Sequence, residues 1–498
     1  MSQPLPDEAA PPIVLSEGRR IARNSALLGL GDVANLVLGL ATTVLITDRL
    51  GDDYGILLGA QRFVALFLVV AQFGLYPLLV RSVAARPHEA GALLGTVLAL
   101  RAMLGGIFVL VTVSAAIGTA YLPEFRWLIG ALVAVELVGI FTESHVAVCE
   151  GLERMGSAAL VTVVRPVVLF AGLAAVVTLD LGLPGIAGSY AAARAAQLVL
   201  AAALVWRVRP PRSLSVRTDW MLPMLREALL FVLIGLAFTA MSSMDVVVLT
   251  RLGPTEAVSW YGGALNFFDV LLALPVLVQR SLLPAFTRLG VERRASDVAR
   301  ATLQVFSAVL LPASIGLAAV AREAVALYPS GAFGPSEPAL RVLTLGVPFA
   351  GLALACAIYL TGVGRLADIL RCYAVALPVE LAVLLLSVPE LGAAGAAAGR
   401  VAAHAVLAIA LLHQVRNNAV SVPIGPLCRH AAASLAMLGV LLAVDGLHLA
   451  ARVAIGCAVY AALMLALSGR GSLERALVAE LSSLARSGWA SLRAHART

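Results

Sequence analysis

From residue 25 to residue 468 the chain is a succession of apolar stretches, each about 20 residues long and separated by short polar breaks. Few folds can take such a pattern. A helix of about 20 residues spans the hydrocarbon core of a bilayer, and lipid offers no partner to an unpaired backbone amide, so each stretch is expected as a membrane-crossing helix. The composition agrees: 60% of the 498 residues are hydrophobic, 13% are charged, and the mean hydropathy is +0.94.

The expected spans are 25–46, 54–80, 90–117, 127–148, 158–179 and 184–206, then 222–250, 261–284, 301–326, 339–360, 369–388 and 391–413, and finally 430–444 and 449–468. That makes about fourteen helices. Arginine prefers cytoplasmic loops, and with the N-terminus inside about 24 basic residues fall in inner segments, about 6 in outer ones and about 6 within spans. The chain is therefore expected N-in and C-in, as a multi-pass membrane protein.

All 36 basic residues are Arg. In so Ala-rich a chain this reads as genomic base composition and carries no argument about phosphate chemistry. Without Lys no Walker-type GxxxxGK[ST] loop can occur, which excludes ATP hydrolysis by this chain. Cys149, Cys356, Cys372, Cys428 and Cys457 have no CxxC spacing, so packing is their expected role, and neither a metal site nor a cofactor is indicated. Nothing points to a nucleic-acid partner.

A short motif is written twice. RLG at 49–51 and YG at 54–55 recur as RLG at 251–253 and YG at 261–262, and the register continues from Pro77 to Pro284 and from Arg81 to Arg288. An inner GxxR at 151–154 recurs at 362–365, the GxxG at 185–188 recurs at 392–395, and Arg194 then corresponds to Arg400. The first twelve spans thus read as two six-helix halves. Six spans return the chain to the same side, so the halves are expected in parallel orientation, an arrangement used for alternating access. The expected segments are a disordered cytoplasmic tail (1–22), an N-terminal six-helix bundle (23–209), a basic linker (210–226), a second bundle (227–416), a transmembrane helix pair (429–468) and an amphipathic cytoplasmic tail (469–498). The last, with Leu473, Leu477, Leu481 and Leu484 at helical spacing among arginines, suits the surface of an anionic leaflet.

Ionisable groups in hydrocarbon usually face a cavity or each other. Asp32, Asn35 and Thr42 share one face of the first span, as Thr239, Ser242 and Asp245 do in its counterpart, and both faces are candidate cleft linings or interhelical seams. Arg194 with Gln197 and Arg400 with His404 offer a cation in each half and are the first candidates for gripping an anion. Arg165 and Arg101 add further cations. The competing reading for each is a buried ion pair, for instance with Glu136 or Glu143. Asn266, Asp269 and Arg280 share a face of the eighth span, and Asp269 stands at the repeat position of Arg62, which suggests an ion-pair gate. Asp32, Asp245 and Glu143 are candidates for proton or cation coupling.

The RLGDDYG turn, the EGLERMG inner loop, the LGLPGIAG opening of the sixth span and its LGAAG echo, in a six plus six plus two arrangement, resemble the polysaccharide-transporter and O-antigen flippase branch of the multidrug/oligosaccharidyl-lipid/polysaccharide superfamily. The resemblance runs from about residue 23 to 468. It implies a carrier of polyprenyl-diphosphate-linked oligosaccharides for cell-surface polysaccharides such as lipopolysaccharide, with membrane lipids, a polymerase and a chain-length regulator as partners, and a tail groove at spans thirteen and fourteen. Three other readings stay open: a MATE-type drug or cation antiporter, a lipid II flippase, and a membrane polysaccharide polymerase or ligase. The third fits least, because the longest outer loop, 321–338, holds only Arg322, Glu323 and Glu337.

Overall fold

The computed structural model describes residues 38–39, 41–47, 49–51, 53–118, 123–208, 214–289, 293–328, 330–418 and 420–467. Asp32, Asn35, the N-terminal tail and the amphipathic C-terminal segment lie outside them. Fifteen α-helices are described in full: α1 (Asp53–Gln72), α2 (Leu75–Ala85), α3 (Ala90–Gly118), α4 (Pro123–Gly151), α5 (Met155–Leu179), α6 (Gly182–Val208), α7 (Thr218–Leu252), α8 (Thr255–Leu289), α9 (Arg293–Ala319), the short α10 (Ala321–Val325), α11 (Glu337–Gly362), α12 (Leu366–Leu391), α13 (Ala393–Asn417), α14 (Ile424–Ala443) and α15 (Leu449–Leu467). No strand occurs among the described residues.

Twelve spans among the described residues are long and apolar enough to cross a membrane, with α1 and α2 together forming one of 33 residues. The protein is therefore a multi-pass, all-helical membrane protein. Two of the fourteen expected spans are not among the twelve: 25–46 lies mostly outside the described residues, and α8, though 35 residues long, has its side chains at 274 and 277–289 outside them. Large apolar side chains such as Leu386, Val199 and Leu110 are exposed, as a lipid-facing surface requires.

The chain divides into two compact units, residues 1–46 with 67–232 and residues 47–66 with 233–498. In the first, α5 and α4 pack on α6, and α2 and α3 pack on α4. A core of Leu75, Leu79, Val83, Leu93, Val97 and Ala147 closes the interior of α2, α3 and α4. In the second, α11 and α12 pack on α13, α8 and α9 pack on α11, and α14 joins α9 to α15.

The twice-written YG motif acquires a physical reason in the second unit. A Cβ on Gly262 would stand 2.5 Å from Leu58 Cδ2 and 2.6 Å from Tyr54, and one on Gly55 would stand 2.6 Å from the Thr255 carbonyl oxygen. The Gly55 amide also donates to Ser259 Oγ at 2.7 Å. The small residue of each copy therefore admits the helix that begins with the other copy, the close backbone approach that glycine permits between membrane helices. The halves differ one step further on. Phe73 and Gly74 have positive φ and separate α1 from α2, whereas α8 runs unbroken through the equivalent position.

Candidate functional site

In the first unit, α4 presents Glu136 and Glu143 two turns apart on one face. Arg194 of α6 donates Nη2 to Glu136 Oε2 at 2.7 Å and Nη1 to Gln197 Oε1 at 3.3 Å, while Gln197 Nε2 donates to the Val161 carbonyl oxygen of α5 at 3.1 Å. Gly139 makes this possible, because a Cβ there would lie 2.9 Å from Arg194 Cζ. Arg101 of α3 is fully buried, pairs with Glu143 at 3.2 Å and donates to the Ile140 carbonyl oxygen. Gln72 Nε2 donates to the same carboxylate at 3.4 Å.

Arg165 of α5 is different. It is half-buried, has no ion pair or hydrogen bond among the described residues, and its Nε is buried without a partner. The ionisable groups whose fields reach it are Arg194, Glu136, Tyr190 and Glu143. Three guanidiniums thus face two carboxylates, and the surplus is one cation.

In the second unit, Arg400 of α13 donates Nε to Asp245 Oδ2 of α7 at 2.6 Å and Nη2 to the Ser242 carbonyl oxygen at 2.8 Å. Tyr261 of α8 donates its hydroxyl to Asp245 Oδ2, and the Val246 amide donates to Asp245 Oδ1 at 2.8 Å. The Arg400 guanidinium also lies 5.6 Å from the Phe268 ring centroid, and His404 Nδ1 stands 2.8 Å from the Arg400 carbonyl oxygen. The Arg400 and Asp245 side chains are 5% and 0% exposed, so this is a sealed pair. Beside it Glu380 of α12 is completely buried, and neither of its carboxyl oxygens has a hydrogen-bond partner among the described residues.

Nearer the surface of the same unit, Arg62 pairs with Asp269 at 3.5 Å, with side chains 27% and 53% exposed. Arg62 Nη1 also donates to the Ser242 carbonyl oxygen at 3.4 Å, the acceptor that Arg400 uses. A chain of contacts therefore runs from Asp269 through Arg62, Ser242 and Arg400 to Asp245. Arg280 lies on α8, and its side chain is outside the described residues.

In the same unit, α9, α14 and α15 line an open pocket of about 450 Å³ with Val309, Pro312, Leu317, Met437, Leu441 and Tyr460 among its walls. Its one charged lining residue is Arg452, fully buried, held by Glu323, by Asp445 at 3.0 Å and by the Ala319 and Leu441 carbonyl oxygens. Such a volume with apolar walls suits a hydrocarbon segment.

Sequence reasoning named both members of the Arg400–Asp245 and Arg62–Asp269 pairs, and all three cations of the first unit. It missed Glu380, although a lone acid inside an apolar span was the signal that could have found it. It also missed Tyr261 as a polar partner, Gly139 as the seat of a guanidinium, and Arg452. No cluster of potential metal ligands occurs among the described residues, and all five cysteines are free.

Residues 21–290 match the family described as polysaccharide biosynthesis protein. No curated protein matches the chain. Among solved structures, the chain is similar in fold to the lipid II flippase MurJ in an inward closed conformation (14% identity, 88% of this chain and 98% of that chain covered, TM-score 0.71). It is also similar to an inward-facing multidrug resistance MATE family transporter of the MOP superfamily (16% identity, 77% and 94% covered, TM-score 0.62). A third is a MOP superfamily transporter from Pyrococcus furiosus described as having a binding pocket of reverse polarity (15% identity, 80% and 95% covered, TM-score 0.57).

Proposed function

The chain belongs to the polysaccharide biosynthesis protein family, and from that premise we propose that it is a flippase, carrying a polyprenyl-diphosphate-linked oligosaccharide across the cytoplasmic membrane by alternating access. The observation that carries this reading is Arg165. A half-buried guanidinium without an acid partner among the described residues, next to Arg194, is an electrostatically incomplete group, and a diphosphate or acidic sugar completes it. Arg194, already held by Glu136, turns its charge to the same neighbourhood. A small cationic drug would instead call for surplus acid beside Arg165.

The cycle follows from differential binding. An anionic head stabilises whichever conformation lets it reach Arg165, and its departure restores the unoccupied balance. The Arg62–Asp269 pair, partly exposed and weakly held, is the candidate gate, while the sealed Arg400–Asp245 pair keeps α7 and α13 together. N-in and C-in topology places the basic loops on the cytoplasmic side, where such a substrate is assembled.

The test is a lipid extraction from a host lacking the gene. An oligosaccharide-diphosphate-lipid should accumulate in the polyprenyl fraction by mass spectrometry as the matching surface polymer disappears, and Arg165→Gln should fail to restore the polymer although the protein is inserted. Unchanged intermediates and surface glycans would sink the reading and turn attention to small-molecule efflux.

A further inference from the structure

Glu380 sits in the middle of a membrane helix two residues after Pro378, with 0% exposure and no hydrogen-bond partner for Oε1 or Oε2 among the described residues. An ionised carboxylate is costly to leave uncompensated in such surroundings, and the group stays buried at small cost only while it carries its proton. The charged groups whose fields reach it are Asp245 of α7 and Arg400 of α13. Around that pair stand Tyr261 of α8, donating to Asp245, and His404, at the Arg400 carbonyl oxygen. The helix α11, which also packs on α12, contributes the buried Cys356 and Tyr359. One guanidinium is therefore within electrostatic reach of two acids and bonds only one of them.

We propose that Glu380 is the proton-loading group of this unit: neutral beside the Asp245–Arg400 pair in the arrangement described, and once ionised the competitor that draws Arg400 away from Asp245. The step is an acid dissociation: the carboxyl O–H bond breaks, the proton passes to water on the side then accessible, and the carboxylate keeps the electron pair. Arg400 and Arg62 share the Ser242 carbonyl oxygen as acceptor. Movement of Arg400 therefore frees that oxygen for Arg62 and weakens the hold of Asp269 on it. Proton occupancy at a sealed site is thereby linked to the exposed pair. The transport half of this inference rests on the flippase reading, and the proton half does not.

The experiment is a pH titration of the full-length protein in lipid nanodiscs by infrared spectroscopy, with protons as the probe. The wild type should show a carboxylic-acid C=O stretch at neutral pH that disappears as pH rises, Glu380→Gln should lack it, and Asp269→Asn should keep it. Identical spectra for wild type and Glu380→Gln at every pH would overturn the proposal. Should Glu380→Gln fail to fold, Glu380→Asp decides: a retained band with a shifted midpoint supports the proposal, and its absence overturns it. In the gene-deleted host, Glu380→Gln should insert and leave the surface polymer unrestored. Full restoration would overturn the coupling role, whereas a wild-type gene without effect on any glycan would sink the flippase reading and leave the infrared result standing.

Discussion

The two units solve the same problem, charge inside hydrocarbon, with opposite remainders. In the first, Arg101 and Arg194 each take a glutamate and Arg165 is left over; in the second, Arg400 takes Asp245 and Glu380 is left over. Both remainders lie on corresponding helices, α5 and α12. Arg165 comes eleven residues after Arg154 and Glu380 fifteen after Arg365, a difference of one helical turn, and each helix has a proline close by, Pro166 or Pro378. A duplicated scaffold thus carries a surplus cation in one copy and a surplus acid in the other. In the roles proposed above, the first takes an anion and the second a proton.

The comparison breaks or sharpens on substitutions, the largest expected effect first. Arg400→Ala strands Asp245 in a sealed site and should cost about 3–5 kcal/mol, read as loss of thermal stability in detergent, with Asp245→Asn recovering part of it. Arg194→Ala should cost clearly less, because the Arg194 and Glu136 side chains are 13% and 22% exposed. Equal losses for the two would erase the contrast between a sealed and an open pair.

Next comes Gly262→Ala, which forces a methyl group against Leu58 and Tyr54 and should destabilise by about 1–3 kcal/mol. A wild-type melting temperature would show that α1 and α8 need no close approach. Gly139→Ala should cost less, under about 1 kcal/mol, because the atom it meets is the mobile end of Arg194. Its larger effect should be on polymer restoration, through a displaced guanidinium.

The smallest stability changes belong to Arg62→Asp and Asp269→Arg, about 0.2–1 kcal/mol for a partly exposed pair. Each single swap should abolish polymer restoration and the double swap should return it. Two inactive singles with an inactive double would remove the gate while leaving both remainders in place.

Much of the site could be read in advance because membrane burial makes polar residues conspicuous. Arg62, Asp269, Asp245, Arg400, Arg165, Arg194 and Glu143 all stand out against apolar neighbours, and the RLG and YG repeat tied several of them into pairs of positions. Repeat logic was a weaker guide to partners. It related Arg194 to Arg400 as equals, yet their acids come from α4 in one unit and α7 in the other. Glu380 was not among the residues so read, although it too is a lone acid inside an apolar span. Tyr261 was noticed as half of a turn motif, and only its approach to Asp245 made it a polar partner.

What the sequence by itself determined is the solvent and the frame: an all-helical, multi-pass chain with a duplicated core, because apolar runs of bilayer length and a repeat in register are one-dimensional facts. Only the tertiary structure decided which charges cancel. Ion pairing depends on side-chain atoms brought within about 3 Å of each other across gaps of 42 to 155 residues. At that range a glycine at 139 or the choice of neighbouring helix determines whether a guanidinium is neutralised or left to find its anion elsewhere.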